Sequence, residues 1–448
     1  MRKIIYIFAW IMMCSSCAVY KSYTPQQTAY SAMSDTTALL TWQQFYKNEQ
    51  LQDLTQKVLA NNSNLQIARL RINEAAASLR GARGLLWPSA SVTGESSVSS
   101  YDGAKADVIY TIGPSISWEA DIFRKQGNAV QVNLATVEER IAYAQSVQTE
   151  LIAATAQSYY TLEMLDAKKQ LTAQTITSWD EQIRTLKALK EAGEVTQSEI
   201  SQAEASQYET KAIMQQIERQ ITETTNSILS LIGSQEADVI RGQFSTADFS
   251  EEMISALPLS TLATRPDIRE AEAALKAAFY QTNVARSAFY PSIRLSGTAG
   301  WTNNGGAGIS NPGAMLLQAV ASLMQPILAN GQNRANLAIA KSQQEQALIA
   351  FQQKVIDAGL EVINAQKAYQ TSEKMAALQQ LQIEKLQESV QAATAQMQLG
   401  DGNALQILVA RQTLLTAQME RLNSEYEQIN SYITLFRAMG GGYNNQNN

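Results

Sequence analysis

The sequence predicts a mainly α-helical protein with a smaller β portion, built from one half-protein that occurs twice. Three observations lead there. Two stretches, Gly127 to Ala192 and Gln332 to Leu399, run for roughly 65 residues without proline and are rich in alanine, glutamine and glutamate, whereas globular helices average about 11 residues. Ahead of each lie paired runs of about 10 to 12 residues in which apolar and polar side chains alternate with the period of a strand. Finally, Ala82-Arg83-Gly84-Leu85-Leu86-Trp87-Pro88-Ser89 returns as Ala285-Arg286-Ser287-Ala288-Phe289-Tyr290-Pro291-Ser292, a shift of about 203 residues and too long for a solenoid unit.

At the N-terminus, Arg2 and Lys3 precede an apolar run from Ile4 to Met13, too short for a bilayer core that needs about 20 residues. Cys14-Ser15-Ser16-Cys17 follows, so the segment reads as a secretory signal that ends in a lipoprotein cleavage box. Leucine is more usual where Cys14 stands. Cys17 is the candidate lipidation site and first mature residue. No later run is apolar for long enough to be a transmembrane helix, so any membrane crossing falls to strands.

Each half then repeats one order. Alanine-rich helices from Asn64 and from Asp267 end at Pro88 and Pro291. In the hairpins that follow, Val108, Tyr110, Ile112, Ile116 and Trp118 alternate with Thr111, Gly113, Ser115 and Ser117, and Ile293, Leu295, Ala299 and Trp301 alternate with Arg294, Ser296, Thr298 and Gly300. Such lengths suit tilted membrane strands, and Trp87, Trp118, Tyr290 and Trp301 lie near strand ends, where aromatic girdles sit. Ser99 to Lys105 and Thr302 to Gly313 are polar loops. The fold class is therefore mainly α with membrane β. The long helices come next, each a rod of about 100 Å at about 1.5 Å per residue. Their partners carry apolar residues at coiled-coil spacing: Leu415, Met419, Leu422, Tyr426, Ile429, Ile433 and Phe436.

Each long helix ends at a glycine, Gly193 and Gly400, related by a shift of about 207 residues that also carries Ile232-Gly233 onto Met439-Gly440. After Gly193, Thr196-Gln197-Ser198-Glu199 is a capping box; after Gly400, Asn403-Ala404-Leu405-Gln406 is a weaker one. Both mark sharp reversals into a second helix.

Composition removes other functions. With 35 basic against 41 acidic residues, nucleic acid has no basic footprint to bind. Histidine is absent and Cys14 and Cys17 are the only cysteines, which takes away the commonest general base, the commonest metal ligand and any disulfide framework. No carboxylate pair sits in a catalytic motif. The reading is not an enzyme, with no cofactor.

Leu257-Pro258-Leu259-Ser260, Thr264-Arg265-Pro266-Asp267-Ile268 with Ala271-Glu272, Trp118-Glu119-Ala120-Asp121-Ile122-Phe123, and Gln325-Pro326-Ile327-Leu328 with Gly331 together resemble the TolC-like outer-membrane efflux proteins, in particular the lipoprotein branch that serves resistance-nodulation-division pumps. The likeness runs from about Ala18 to Gly440. Two departures stand out: Thr264 where a second arginine is frequent, and Arg124 where a glycine is usual. The Arg-Pro-Asp segment also has a plain reading, with Pro266 at the first helical position and Asp267 and Glu270 complementing the helix dipole.

Four strands cannot close a membrane barrel, whose smallest form has about eight. The resemblance implies a homotrimer in which each duplicated chain gives four strands to a 12-stranded β-barrel and its long helices to a periplasmic α-helical barrel. It implies residence in the outer membrane, anchored by lipid, and partnership with a periplasmic adaptor and an inner-membrane pump of the resistance-nodulation-division type. Expected segments are 1–17 as signal, 18–60 and 234–262 as equatorial segments, 61–233 and 263–440 as repeats with hairpins at about 89–120 and 291–326 and tips at about 193–196 and 400–403, and 441–448 as a polar tail. Asp401, with Gln396 and Asn403, is the candidate pore gate, since threefold symmetry makes a ring of like charge. Gly193, Thr196, Ser198, Gly400 and Gly402 are candidate adaptor-contacting tips. A duct for type I protein secretion and a lipid-anchored coiled-coil scaffold without a pore are the competing functions.

Overall fold

A computed structural model describes residues 20–25, 41–100, 102, 106–235, 239–246, 264–302, 314–327, 329–399 and 404–441. The elements are α1 (Trp42–Phe45), α2 (Glu49–Asn61), α3 (Ser63–Gly84), β1 (Ser89–Ser99), β2 (Asp107–Ala120), α4 (Lys125–Glu191), α5 (Gln197–Ile232), α6 (Pro266–Ser287), β3 (Ser292–Thr302), β4 (Ala314–Met324), α7 (Gln332–Gln398) and α8 (Ala404–Ala438). The duplication is regular. From α3 to α6 and from β1 to β3 the offset is 203 residues; from β2 to β4, α4 to α7 and α5 to α8 it is 207. The difference of four therefore lies between the paired strands, in the loop after β3, which is longer than the loop after β1.

Chain contacts divide the protein into two compact units: Met1–Gln26, Arg69–Ala142 and Arg269–Lys354 in one, and Gln27–Ala68, Tyr143–Ile268 and Val355–Asn448 in the other. The long helices α4 and α7, each of 67 residues, give residues to both.

The first unit holds a four-stranded antiparallel sheet in the order β1-β2-β3-β4. Ser89 faces Ser117 and Ser99 faces Asp107; Thr111 faces Thr302 and Ala120 faces Ile293; Ser292 faces Met324 and Thr302 faces Ala314. The two halves meet at β2 and β3. There the ladder is interrupted, because Pro114 has no N–H to donate. Beside it a Cβ on Gly113 would lie 2.1 Å from the Ala299 carbonyl oxygen, and one on Gly300 would lie 2.3 Å from that of Ile112. Glycine at both places lets the two backbones touch. Around the sheet's base, Trp118 Nε1 donates to the Leu86 carbonyl at 3.0 Å, and the Phe123 and Tyr290 rings stack with centroids 5.0 Å apart.

The α4 and α7 entries obey the same geometry with different residues. Arg124 (φ +51) and Gly331 (φ +78) both take the left-handed conformation. Each carbonyl then accepts the N–H four residues on, from Asn128 at 2.8 Å and Ala335 at 3.0 Å. Arg124 thus stands where the backbone favours glycine, and it carries a strain of about 1 kcal/mol. Asp121 completes the first entry, accepting from the Gln126 and Gly127 N–H groups at 2.8 and 2.7 Å.

The second unit has an aromatic core. Phe45 of α1 stacks on Phe436 (centroids 3.8 Å) and on Tyr432 (4.7 Å) of α8, while Tyr46, Tyr159, Tyr160, Leu162 and Ile433 are nearly sealed from water around them. Asn48 and Asn62 cap α2 and α3 through their side-chain oxygens. The stripe on α8 read from the sequence packs inward, with Leu415, Ile429, Ile433 and Phe436 all buried. Lys168 of α4 reaches Asn423 Oδ1 of α8 at 2.5 Å, and burial pushes its ammonium below the ordinary lysine range.

Candidate functional site: a membrane sheet, a helix tip and an arginine clamp

Register and alternation sort the strand residues onto two faces. One carries Val92 and Val98 of β1, Val108, Ile112 and Ile116 of β2, Leu295 and Trp301 of β3, and Met315, Leu317 and Leu323 of β4. All ten are exposed, Met315 at 84% and Leu317 at 83%. The other face carries Ser91, Ser115, Thr111, Thr302, Ser296 and Gln318, with Val320 and Met324 as its exposed large apolar residues. Its hydroxyls bond to one another, Ser91 Oγ with Ser115 Oγ at 2.9 Å and Thr111 Oγ1 with Thr302 Oγ1 at 3.3 Å. A soluble sandwich would bury the apolar face. Here that face is turned out, as a lipid-facing sheet requires. No helix among the described residues is long and apolar enough to cross a membrane.

Among the described residues the outer strands β1 and β4 each pair on one side, so the sheet ends in two open edges. In hydrocarbon those backbone groups need partners.

At the α4–α5 turn, Gly193 takes φ +81 and the turn closes with Gly193 N–H to the Lys190 carbonyl and Glu194 N–H to that of Leu189, both 2.9 Å. Thr196 then starts α5, its N–H donating to Glu199 Oε2 at 2.7 Å, the return half of a capping box. Gly193, Thr196 and Ser198 are exposed, while Val195 between them is buried. A small core gathers Trp179, Leu186, Val195, Ile200, Ala404 and Leu408, so the α4–α5 turn packs against the start of α8, with Met397 of α7 alongside. The Trp179 Nε1 donates to Thr210 Oγ1 at 3.1 Å. Gln396 is exposed in the last turn of α7. The other candidates, Cys17, Gly400, Asp401, Gly402 and Asn403, lie outside the described residues.

Sequence reasoning missed the role of Arg265. Pro266 does open α6 with Asp267 in its first turn, but the buried arginine before it is a clamp. Its Nε and Nη2 donate to Asp267 at 2.9 Å each, Nη2 also to Glu361 Oε2 at 2.9 Å, and Nη1 to the Ala438 carbonyl at 2.7 Å. Glu361 is held on its other side by Arg437. Burial alone would lower the Arg265 pKa; Asp267 and Glu361 outweigh it and hold the guanidinium above its ordinary range. One cation thereby ties α6, α7 and the end of α8 together. Its signal in the sequence is an arginine just before a helix-opening proline, which says nothing of partners so far along the chain.

These features have known counterparts. The outer membrane efflux protein family matches residues 54–234 and again 257–441, one match per half. The chain belongs to that family. It is a family of efflux proteins rather than of enzymes, and its members reside in the outer membrane. This efflux protein is 29% identical over 437 residues to the toluene efflux pump outer membrane protein TtgC of Pseudomonas putida, covering 95% of this chain and 89% of that one. It is 27% identical over 412 residues to the cation efflux system protein CusC of Escherichia coli, covering 90% and 88%. A crystal structure of CusC, described as forming a transmembrane channel, superposes with a TM-score of 0.87 at 24% identity, over 95% of this chain and 100% of that one. The efflux protein thus has the fold of the outer-membrane channels, with four strands and paired long helices in each chain.

Proposed function

We propose that three copies of this chain close their sheets into one twelve-stranded barrel through the outer membrane and wall a periplasmic tube with their helices, forming the passive exit duct of a tripartite efflux system for drugs and other small molecules. The observation that carries this is the outward apolar face on a sheet with two open edges. Four strands per chain fall short of the smallest membrane barrel, about eight, and the edges in lipid need strands to pair with. The helices add a second reason. On α7, Ile356, Leu360 and Ile363, and farther along Leu378 and Leu381, are exposed apolar residues spaced three or four apart within each group, the spacing of a helix–helix seam, which a neighbouring copy would cover.

In this reading Cys17 carries the lipid, Asp401 with Gln396 and Asn403 lines the gate, and a periplasmic adaptor grips the tips at Gly193, Thr196, Ser198, Gly400 and Gly402 while a pump of the resistance-nodulation-division type supplies the energy. The duct holds no energy source of its own.

Deleting the chain should raise sensitivity to dyes, detergents and antibiotics, and the purified assembly should conduct in a planar bilayer with the mass of three chains. A monomer without conductance would sink the reading. Unchanged drug sensitivity with loss of an exported protein would select a secretion duct instead. The gate is tested separately by Asp401→Ala: single-channel current and leak that match the parent would remove Asp401 from it.

A further inference from the structure

The polar face of the sheet carries a charge that its surroundings leave unbalanced. Arg294 of β3 lies on that face, exposed, in the row where it sits opposite Glu119 of β2 and Ser322 of β4. Glu119 is engaged elsewhere, with Lys125 Nζ at 3.3 Å. Ser322 Oγ donates to the Arg294 backbone carbonyl at 3.4 Å and leaves the guanidinium untouched. Among the described residues the Arg294 guanidinium forms no ion pair or hydrogen bond. With Lys125 counted beside Glu119, this group of residues carries one net positive charge per chain. The next acid on this face of the strands, Glu95, stands opposite Thr111, eight residues along β2 and about 26 Å away at about 3.3 Å per residue. It lies well beyond a Debye length of about 10 Å and does not cancel Arg294.

We infer that Arg294 is a selectivity residue: three copies form a cationic ring at the α-helix end of the barrel lumen that favours anionic solutes over cationic ones. The inference rests on the trimeric channel reading, in which the apolar face meets lipid and the polar face meets water. Twelve strands about 4.8 Å apart and tilted by about 40° enclose a radius of about 12 Å, and an arginine side chain spans about half of that. Three unit charges about 6 Å from the axis, in water at a Debye length of about 10 Å, raise a monovalent anion and deplete a monovalent cation by about sevenfold each. Charged rings select ions in this way. Lys125 belongs to the device because it occupies Glu119, the carboxylate opposite Arg294 on β2.

The experiment is the reversal potential of the purified assembly in a planar bilayer under a tenfold KCl gradient kept below about 0.2 M, so that screening stays weak. Arg294→Gln should lower the chloride-to-potassium permeability ratio by about 50-fold, the product of the two effects, and Arg294→Lys should retain the parent value. Lys125→Gln should move the ratio the same way as Arg294→Gln, since it frees Glu119 to pair with Arg294, and it serves where Arg294→Gln fails to insert. A conducting assembly whose ratio is the same in the parent, Arg294→Gln and Lys125→Gln overturns the ring. Absence of conductance in the parent overturns the channel reading itself, a separate result.

Discussion

Leu317 and Gln318 are neighbours on β4 that face opposite ways, and arginine at each separates a lipid-facing sheet from a soluble one. Leu317 is 83% exposed in the single chain. In water, an exposed leucine exchanged for arginine changes stability by about 0.5 kcal/mol or less. In lipid the cost depends on depth. β4 has 11 residues and Leu317 is the fourth. At about 3.3 Å per residue and a tilt of about 40°, it lies about 5 Å from mid-strand. Arginine on the lipid face costs about 2–4 kcal/mol at the midplane and about 0–1 at the interfaces, so about 2 kcal/mol applies at this depth. Three symmetric copies sum to about 6 kcal/mol, roughly a 10⁴-fold loss in the assembly equilibrium. Gln318→Arg places the same charge in water on the other face, where the cost is near zero. The assay is the amount of each variant in the outer-membrane fraction together with the heat resistance of the detergent-extracted assembly. Leu317→Arg should be depleted and heat-labile while Gln318→Arg matches the parent. Equal behaviour of the two, or damage from Gln318→Arg alone, would refute the assignment of faces.

Arg265→Met takes the guanidinium from the half-buried Asp267 and Glu361, which keep the Ile268 N–H and Arg437 respectively, and urea unfolding of the assembly should show a loss of about 3 kcal/mol. Gly300→Ala drives a Cβ into the Ile112 carbonyl and should abolish insertion into the outer membrane, whereas Gly94→Ala, with Ile112 Cγ1 at 3.9 Å, should insert normally; the membrane fraction of each reports the outcome. Arg124→Gly relieves left-handed strain and should stabilise by about 0.5–1 kcal/mol, while Gly331→Ala at the matching entry should cost about 1 kcal/mol by thermal melting. Burial raises the pKa of Glu272, with Lys276 opposing and Glu138 reinforcing, while Arg269 also lowers it; Tyr23 lies close by. An acid raised in the folded state contributes stability that is full below the unfolded value of 4.5 and is lost as pH climbs through the folded value. Melting curves taken upward from pH 4.5 should therefore show a decline in the parent that Glu272→Gln removes.

The signals that spoke from the sequence were local or self-repeating. Long proline-free helices, glycine reversals and period-two strands are set by backbone sterics within a few residues, and duplication states each of them twice. Alternation along β2 and β3 was likewise enough to separate an apolar face from a polar one, since neighbouring strand residues point opposite ways. Even the departure at Arg124 was visible as a missing glycine, because positive φ penalises any Cβ wherever it occurs.

What alternation leaves open is whether the apolar face packs into a core, and that was decided only when the register lined ten apolar residues on one face and left all of them exposed. Pairing of β2 with β3 joins the two halves of the chain, so the contact of Gly113 with Gly300 has no local signature. The same distance hid the arginine clamp: Glu361 lies 96 residues from Arg265 and Ala438 lies 173. A buried cation is tolerated only where several elements converge to supply acceptors. Convergence of that kind belongs to the folded chain and to no segment of it.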